Sequence, residues 1–293
     1  MQANDLLWLY EQGQRDFRGV DLCGADLRGA TLIGVNLTKA NLMGADLSRA
    51  FLTKSDLSGA QMNWANLSFV KMGDAKLVEA DLTKVNFSGA FLVRSKLPGA
   101  KLSGAILSSA NFRRANLWGA NLCGANLYRS NLRDTNLMGA NFNWANLSEA
   151  RLIGAKMYGA SLNGVNFRKA FLNGLDLAGV DLDGVNFRQA RLKDTNLQGA
   201  NLIAADLSEA HLNRANLKGA DLTGANLIGA SLEHANLTWA ILRKADLTDA
   251  HLIGVMFNGT DLGEAQLSGA TVSTTMACAF YQTARGLNCS QVS

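Results

Sequence analysis

From Phe17 to Val272 every fifth residue is Leu, Phe, Met or Val, an unbroken run of 52 apolar positions. Two residues before each stands a small residue, usually Ala, and the residue just before it is usually Asp or Asn. A spacing of five suits neither regular element. Around an α-helix five residues turn through about 500°, which scatters the leucines over every side. Along a strand an odd step sends successive leucines to opposite faces. A short extended piece followed by a corner satisfies the pattern. Ala and Leu, two apart, then both point inward, and the second corner position favours Gly because it needs a positive φ. Corners of one sense close a coil, and coils stack by strand-like hydrogen bonds at about 4.8 Å.

The number of units per coil is also readable. With four, residues 20 apart stack, and Lys54, Asp74 and Arg94 form a ladder of alternating charge, as do Arg129, Glu149 and Lys169, with Arg114 beside Asp134. The second corner residue is Gly at ten of the thirteen positions 19, 39 and onward to 259, but at four of the twelve from 34 to 254. A period of 20 therefore predicts an all-β, four-sided β-helix of about thirteen coils, stacked over about 60 Å. Leu175, the one large residue at the inner Ala position, calls for local expansion of its coil. The Asn positions from Asn111 to Asn146 predict stacked amide ladders.

Open ends of such a stack need covering. Residues 1–14 are expected to form an N-terminal cap, with a short helix over residues 4 to 13, Asn4 or Asp5 as its N-cap, and Leu6, Leu7, Leu9 and Tyr10 against the first coil. The repeat region is 15–272. The register fails in 273–293, where Met276, Phe280 and Tyr281 are available to cover the last coil or to join two chains end to end.

Units such as Ala115-Asn-Leu-Trp-Gly, Ala120-Asn-Leu-Cys-Gly and Ala125-Asn-Leu-Tyr-Arg resemble the pentapeptide-repeat proteins, common in bacteria and especially cyanobacteria. The resemblance implies a right-handed quadrilateral β-helix. It also implies a functional range of inhibitors and scaffolds, including topoisomerase-binding members that mimic DNA and protect or inhibit gyrase. That mimicry needs an acidic surface, and the net charge here is +4.

The N-terminus has no basic n-region, and no stretch approaches the roughly 20 apolar residues of a membrane span, so a soluble cytoplasmic protein is expected. The sparse cysteines, Cys23, Cys123, Cys278 and Cys289, fit a reducing compartment, with pairing of Cys278 and Cys289 left open. No nucleophile elbow, phosphate loop, dinucleotide fingerprint or metal-binding His pair is present, so no catalytic, cofactor or metal residue is assigned and the protein is read as a non-enzyme.

Departures from the repeat concentrate on one side. There the outward Asp/Asn gives way to Phe51, Lys71, Phe91, Arg151, Phe171, Arg191, His211 and His251. The adjoining corners carry Lys54, Arg94, Arg113, Arg114, Arg133, Lys193, Arg214 and His234. All three histidines and ten of the 28 Lys/Arg fall here, against Asp74, Asp134, Asp194 and Glu233. One reading is that this side merely tolerates bulk. The other is a binding face for a protein with an acidic surface, since Arg and aromatic residues are enriched in interface cores. The interspersed acids and small net charge argue against a nucleic-acid groove. A second candidate is the apolar stripe Trp118, Met138 and Tyr158 beside Gly119, Gly139 and Gly159.

Overall fold

A computed structural model describes residues 1–272 of the chain. The expectations for Met276, Cys278, Phe280, Tyr281 and Cys289 lie outside the described residues. Met1–Ser161 and Leu162–Ser293 form two compact units.

Within both units the residues that precede the central apolar side chains bridge, in parallel, to residues 20 further on. Asp16 pairs with Asn36 and Asp21 with Asn41 in the first unit, as Asn166 pairs with Asn186 in the second. Four pentapeptides therefore make one coil. Strand pairing is reduced to isolated single-residue bridges, because the two corner residues of each five leave no room for a longer ladder.

The hydrogen bonds explain the letters of the repeat. In the unit 41–45, Asn41 N–H donates to the Val20 carbonyl (2.9 Å), Leu42 N–H to Gln61 (2.7 Å) and Gly44 N–H to Asn63 (3.0 Å). Ala45 N–H closes the turn onto Leu42 (3.1 Å). Only the first corner amide, Met43 N–H, has no backbone acceptor, and the Asn41 Oδ1 takes it at 3.2 Å. Asp or Asn before the Leu thus satisfies an amide that would otherwise have no protein partner. Every second corner residue from 19 to 269 has φ between 51° and 75°, the left-handed region, whether or not it is Gly.

The expected amide ladders are only partly formed. Asn136 Nδ2 donates to Asn116 Oδ1 (3.0 Å) and Asn146 Nδ2 to Asn126 Oδ1 (3.3 Å). Throughout that stretch the Oδ1 serves its own corner amide first, as Asn111 does for Arg113 (3.1 Å) and Asn121 for Cys123 (3.1 Å).

The central Leu and Phe side chains and the inner Ala fill each unit. In the second unit Phe167 and Phe187 stack with centroids 5.3 Å apart, and Leu175 is accommodated as a buried residue. At most positions where Ser or Thr replaces the inner Ala the hydroxyl donates to a backbone carbonyl, Ser130 Oγ being buried without a partner among the described residues. Ser95 Oγ reaches Leu92 (2.6 Å) and Thr195 Oγ1 reaches Leu172 (3.1 Å).

One helix, α1 (Ala3–Glu11), precedes the first coil. Its N-cap is Gln2, not Asn4 or Asp5. Asp5 sits one turn inside, where its carboxylate accepts the Gln2 N–H at 3.1 Å, so the acid works from the third helical position. Leu6 is fully buried, whereas Leu7, Leu9 and Tyr10 are half-buried. The Tyr10 hydroxyl donates to the Ile33 carbonyl at 2.9 Å, tying the helix to the coils. α1 is too short to cross a membrane, and no other described helix is long and apolar enough.

Candidate partner-binding surface

In the first unit, Phe51, Lys71, Phe91, Asn111, Asn131 and Arg151 form one continuous ladder of bridges. The period of 20 thus brings together the residues that the sequence assigns to this side. Phe51 and Phe91 remain 44% and 42% exposed, large values for rings that have a core beneath them. Gly73 lies under the Phe91 ring, where an added Cβ would sit 3.5 Å from it. Lys71 Nζ stands 5.9 Å from the centre of the same ring.

The corner beside this ladder carries the charge. Across residues 31–154 this side holds Lys54, Lys71, Arg94, Arg113, Arg114, Arg133 and Arg151 against Asp74 and Asp134. The Arg94 guanidinium grips Asp74 with two bonds (2.8 and 2.7 Å), which holds the Asp74 carboxyl below its ordinary range. Lys54 acts on Asp74 only at longer range. Arg113 and Arg114 each approach Asp134 no closer than 3.9 Å, beyond hydrogen-bonding reach. Arg133 forms no ion pair among the described residues, and all three side chains are exposed.

The second unit repeats the arrangement with less charge. Phe171, Arg191, His211, Ser231, His251 and Thr271 are successive rungs, with Arg191 4.6 Å over the Phe171 ring. Arg214 is bidentate on Asp194 (2.6 and 2.7 Å), which lowers the Asp194 carboxyl, and Lys193 adds to the effect. Ser231 separates His211 from His251 on the ladder. The His234 ring folds over Gly254, and His251 Nδ1 lies 3.4 Å from the Thr271 hydroxyl. The three imidazoles therefore do not converge. Among the described residues no group of three or more His, Cys, Asp or Glu is placed to hold a metal.

The apolar stripe also forms, with Trp118 57% and Tyr158 83% exposed and Met138 half-buried between them. It belongs to a wider pattern that the sequence reading missed. All five tryptophans, Trp8, Trp64, Trp118, Trp144 and Trp239, are more than half exposed. The signal was available, since none occupies a central position of the repeat.

A hollow of about 770 Å³ in the first unit is lined by Asp26, Arg28, Asp46, Arg49, Ser68 and Phe69. Its carboxylates are engaged: Asp26 by Arg28 (2.8 and 2.6 Å), Asp46 by the Ser48 amide (2.9 Å) and by Asn66. Neither is poised for acid–base work.

The family model described as pentapeptide repeats matches residues 16–143 and 145–269 in overlapping copies. No curated protein matched the chain. Among solved structures, one similar protein is HetL, a pentapeptide repeat protein involved in heterocyst differentiation regulation from the cyanobacterium Nostoc. It is 28% identical over 93% of this chain and 97% of its own, with a TM-score of 0.28. Full-length QnrB1, a plasmid-mediated fluoroquinolone resistance protein, is 19% identical over 72% of this chain and 95% of its own, with a TM-score of 0.34. Rfr23 from the cyanobacterium Cyanothece is 32% identical over 36% of this chain and 88% of its own, at a TM-score of 0.19. With TM-scores this low, none of the three bears on what this chain binds.

Proposed function

The chain belongs to the pentapeptide-repeat family, and we propose that it is a non-catalytic scaffold that captures a protein partner with an acidic surface. The capturing side is the ladder bearing Lys71, Phe91 and Arg151 in the first unit, with its corner residues Arg94, Arg113, Arg114 and Arg133. The observation that carries the reading is the set of three exposed guanidiniums, of which Arg113 and Arg114 share one carboxylate 3.9 Å away and Arg133 has no ion pair among the described residues. Arg is the side chain best suited to hold carboxylates across an interface. Phe171, Arg191, His211, His234 and His251 form a weaker counterpart in the second unit. The stripe of Trp118, Met138 and Tyr158 is a secondary apolar contact in the first.

A DNA-mimicking role is not supported, because this side carries seven cations against two acids in the first unit and the whole chain is +4. The reading takes 1–14 as an N-terminal cap, 15–272 as the repeat region of about thirteen coils, and 273–293 as a C-terminal cap or tail. It places the protein in the cytoplasm as a monomer or an end-to-end dimer. Reversing Arg113, Arg114 and Arg133 together to Glu is expected to abolish capture of the partner from native cells in crosslinking mass spectrometry. Thermal melting should stay near that of the unaltered protein, as exposed charges contribute little to stability. Undiminished capture by the triple variant would overturn the proposal.

A further inference from the structure

The charged side of the first unit is not uniform along its ladder. Exposed apolar groups come early: Ile33, Phe51 and Phe91. The unsatisfied guanidiniums follow: Arg113, Arg114 and Arg133. The two kinds of group also differ in how they are held. Phe91 lies over Gly73 and stays 42% exposed. Arg94, on the corner that follows Phe91, has donors occupied by Asp74 at 2.8 and 2.7 Å. One and two coils further on, about 5–10 Å along the stack, the donors of Arg113, Arg114 and Arg133 are unspent. Asp134 is the only carboxylate among them. It leans over Gly154, where the missing side chain leaves room, and stays 3.9 Å from both Arg113 and Arg114.

Resting on the protein-binding reading above, we propose that this side takes a two-part ligand. It would be an extended protein segment whose aromatic or aliphatic side chains sit on Phe51 and Phe91, and whose carboxylates reach Arg113, Arg114 and Arg133. An extended chain advances about 3.3 Å per residue, so some three residues separate the last apolar anchor from the acids. Charge complementarity selects the acidic end, and the exposed rings select the apolar end. Asp134 is a built-in competitor whose charge, 3.9 Å from Arg113 and Arg114, offsets part of their attraction for a ligand carboxylate and keeps binding weak enough to reverse. Its replacement by Asn preserves the left-handed corner, which Asn tolerates, while removing the competing charge.

The test uses the full chain and two fluorescein-labelled peptides of identical composition, each with four Glu. In one, Phe and Leu are grouped three residues ahead of the Glu; in the other they are interleaved. Anisotropy at low salt should show the grouped peptide binding about tenfold tighter, a difference of about 1.4 kcal/mol. Asp134→Asn should tighten it about threefold, and Arg133→Glu should weaken it about tenfold. A gain on Asp134→Asn does not arise from misfolding. Equal binding of the two peptides, no gain on Asp134→Asn, or tighter binding of an oligothymidylate of matched charge would overturn the two-part ligand. If the triple charge reversal still abolishes cellular capture while the peptides bind equally, protein binding stands and the two-part ligand falls. If the charge reversal alters neither, both fall.

Discussion

A left-handed φ costs an L-residue about 1–2 kcal/mol, yet 26 non-glycine residues hold one at the second corner position. The backbone there is committed to the coil, as Gly44 N–H is to Asn63, so side-chain identity is subordinate to the turn. Two glycines separate the backbone cost from packing. Gly124 has open space where a Cβ would go, while at Gly89 a Cβ would meet the Phe69 ring at 2.6 Å. Gly124→Ala should therefore cost about 1 kcal/mol, and Gly89→Ala about 1 kcal/mol more. Phe69→Ala in the same chain should remove the excess, measured as a double-mutant cycle in denaturant. The exposed pairs make a prediction about pH. The hydrogen bonds from the Arg28 guanidinium lower the Asp26 carboxyl to about 2. Against an unfolded value of about 3.9, the folded value is depressed. Its stabilising contribution is thus fully present above the unfolded value and is lost as pH falls through about 2. Carboxyl NMR should show that low midpoint, and Arg28→Ala should return it toward the ordinary carboxylate range.

At the scale of the pentapeptide, the decisive side chain is the Asp or Asn before the apolar residue. Asn196 shows its full use: Oδ1 accepts from the Gln198 amide (3.3 Å) and Asn216 Nδ2 (3.0 Å), while Nδ2 donates to Asp176 (2.8 Å). Asn196→Ala should destabilise the second unit by about 1–2 kcal/mol. Asn196→Asp should fall between, keeping the corner acceptor but losing the donor to Asp176. Equal stability of all three forms in denaturant would reduce this side chain to a bystander. The same element shows what the sequence made legible. The period of 20 was visible in Lys54, Asp74 and Arg94, and the bridges within each unit follow it. The local role of Asn was not visible, since a repeated amide reads equally well as a ladder between coils or as a cap within one. The helix start was misplaced for a similar reason: Asp5 has the chemistry of an N-cap but acts from inside the helix, and Gln2 carries no strong signal.

For the molecule as a whole, stability and recognition draw on different physics. The core of each unit is Leu, Phe and Ala at near-complete burial, and burial of apolar area is weakly screened by salt. The candidate surface depends on exposed charge, which salt screens within about 10 Å at 0.1 M and 3 Å at 1 M. Its residues were nameable from the sequence because the period assigns each one to a side. Which guanidiniums are spent was not, because Arg94 and Arg114 occupy equivalent corner positions and differ only in how closely a carboxylate approaches. That division predicts opposite responses to ionic strength. Raising salt from about 0.05 M to 0.5 M should release an acidic partner by an order of magnitude or more in affinity, while the melting temperature moves little. The Arg113, Arg114 and Arg133 triple reversal should flatten the salt dependence as well as weaken binding. Capture that persists unchanged in high salt would move recognition from the arginines to the exposed rings of Phe51, Phe91, Trp118 and Tyr158, which salt does not weaken.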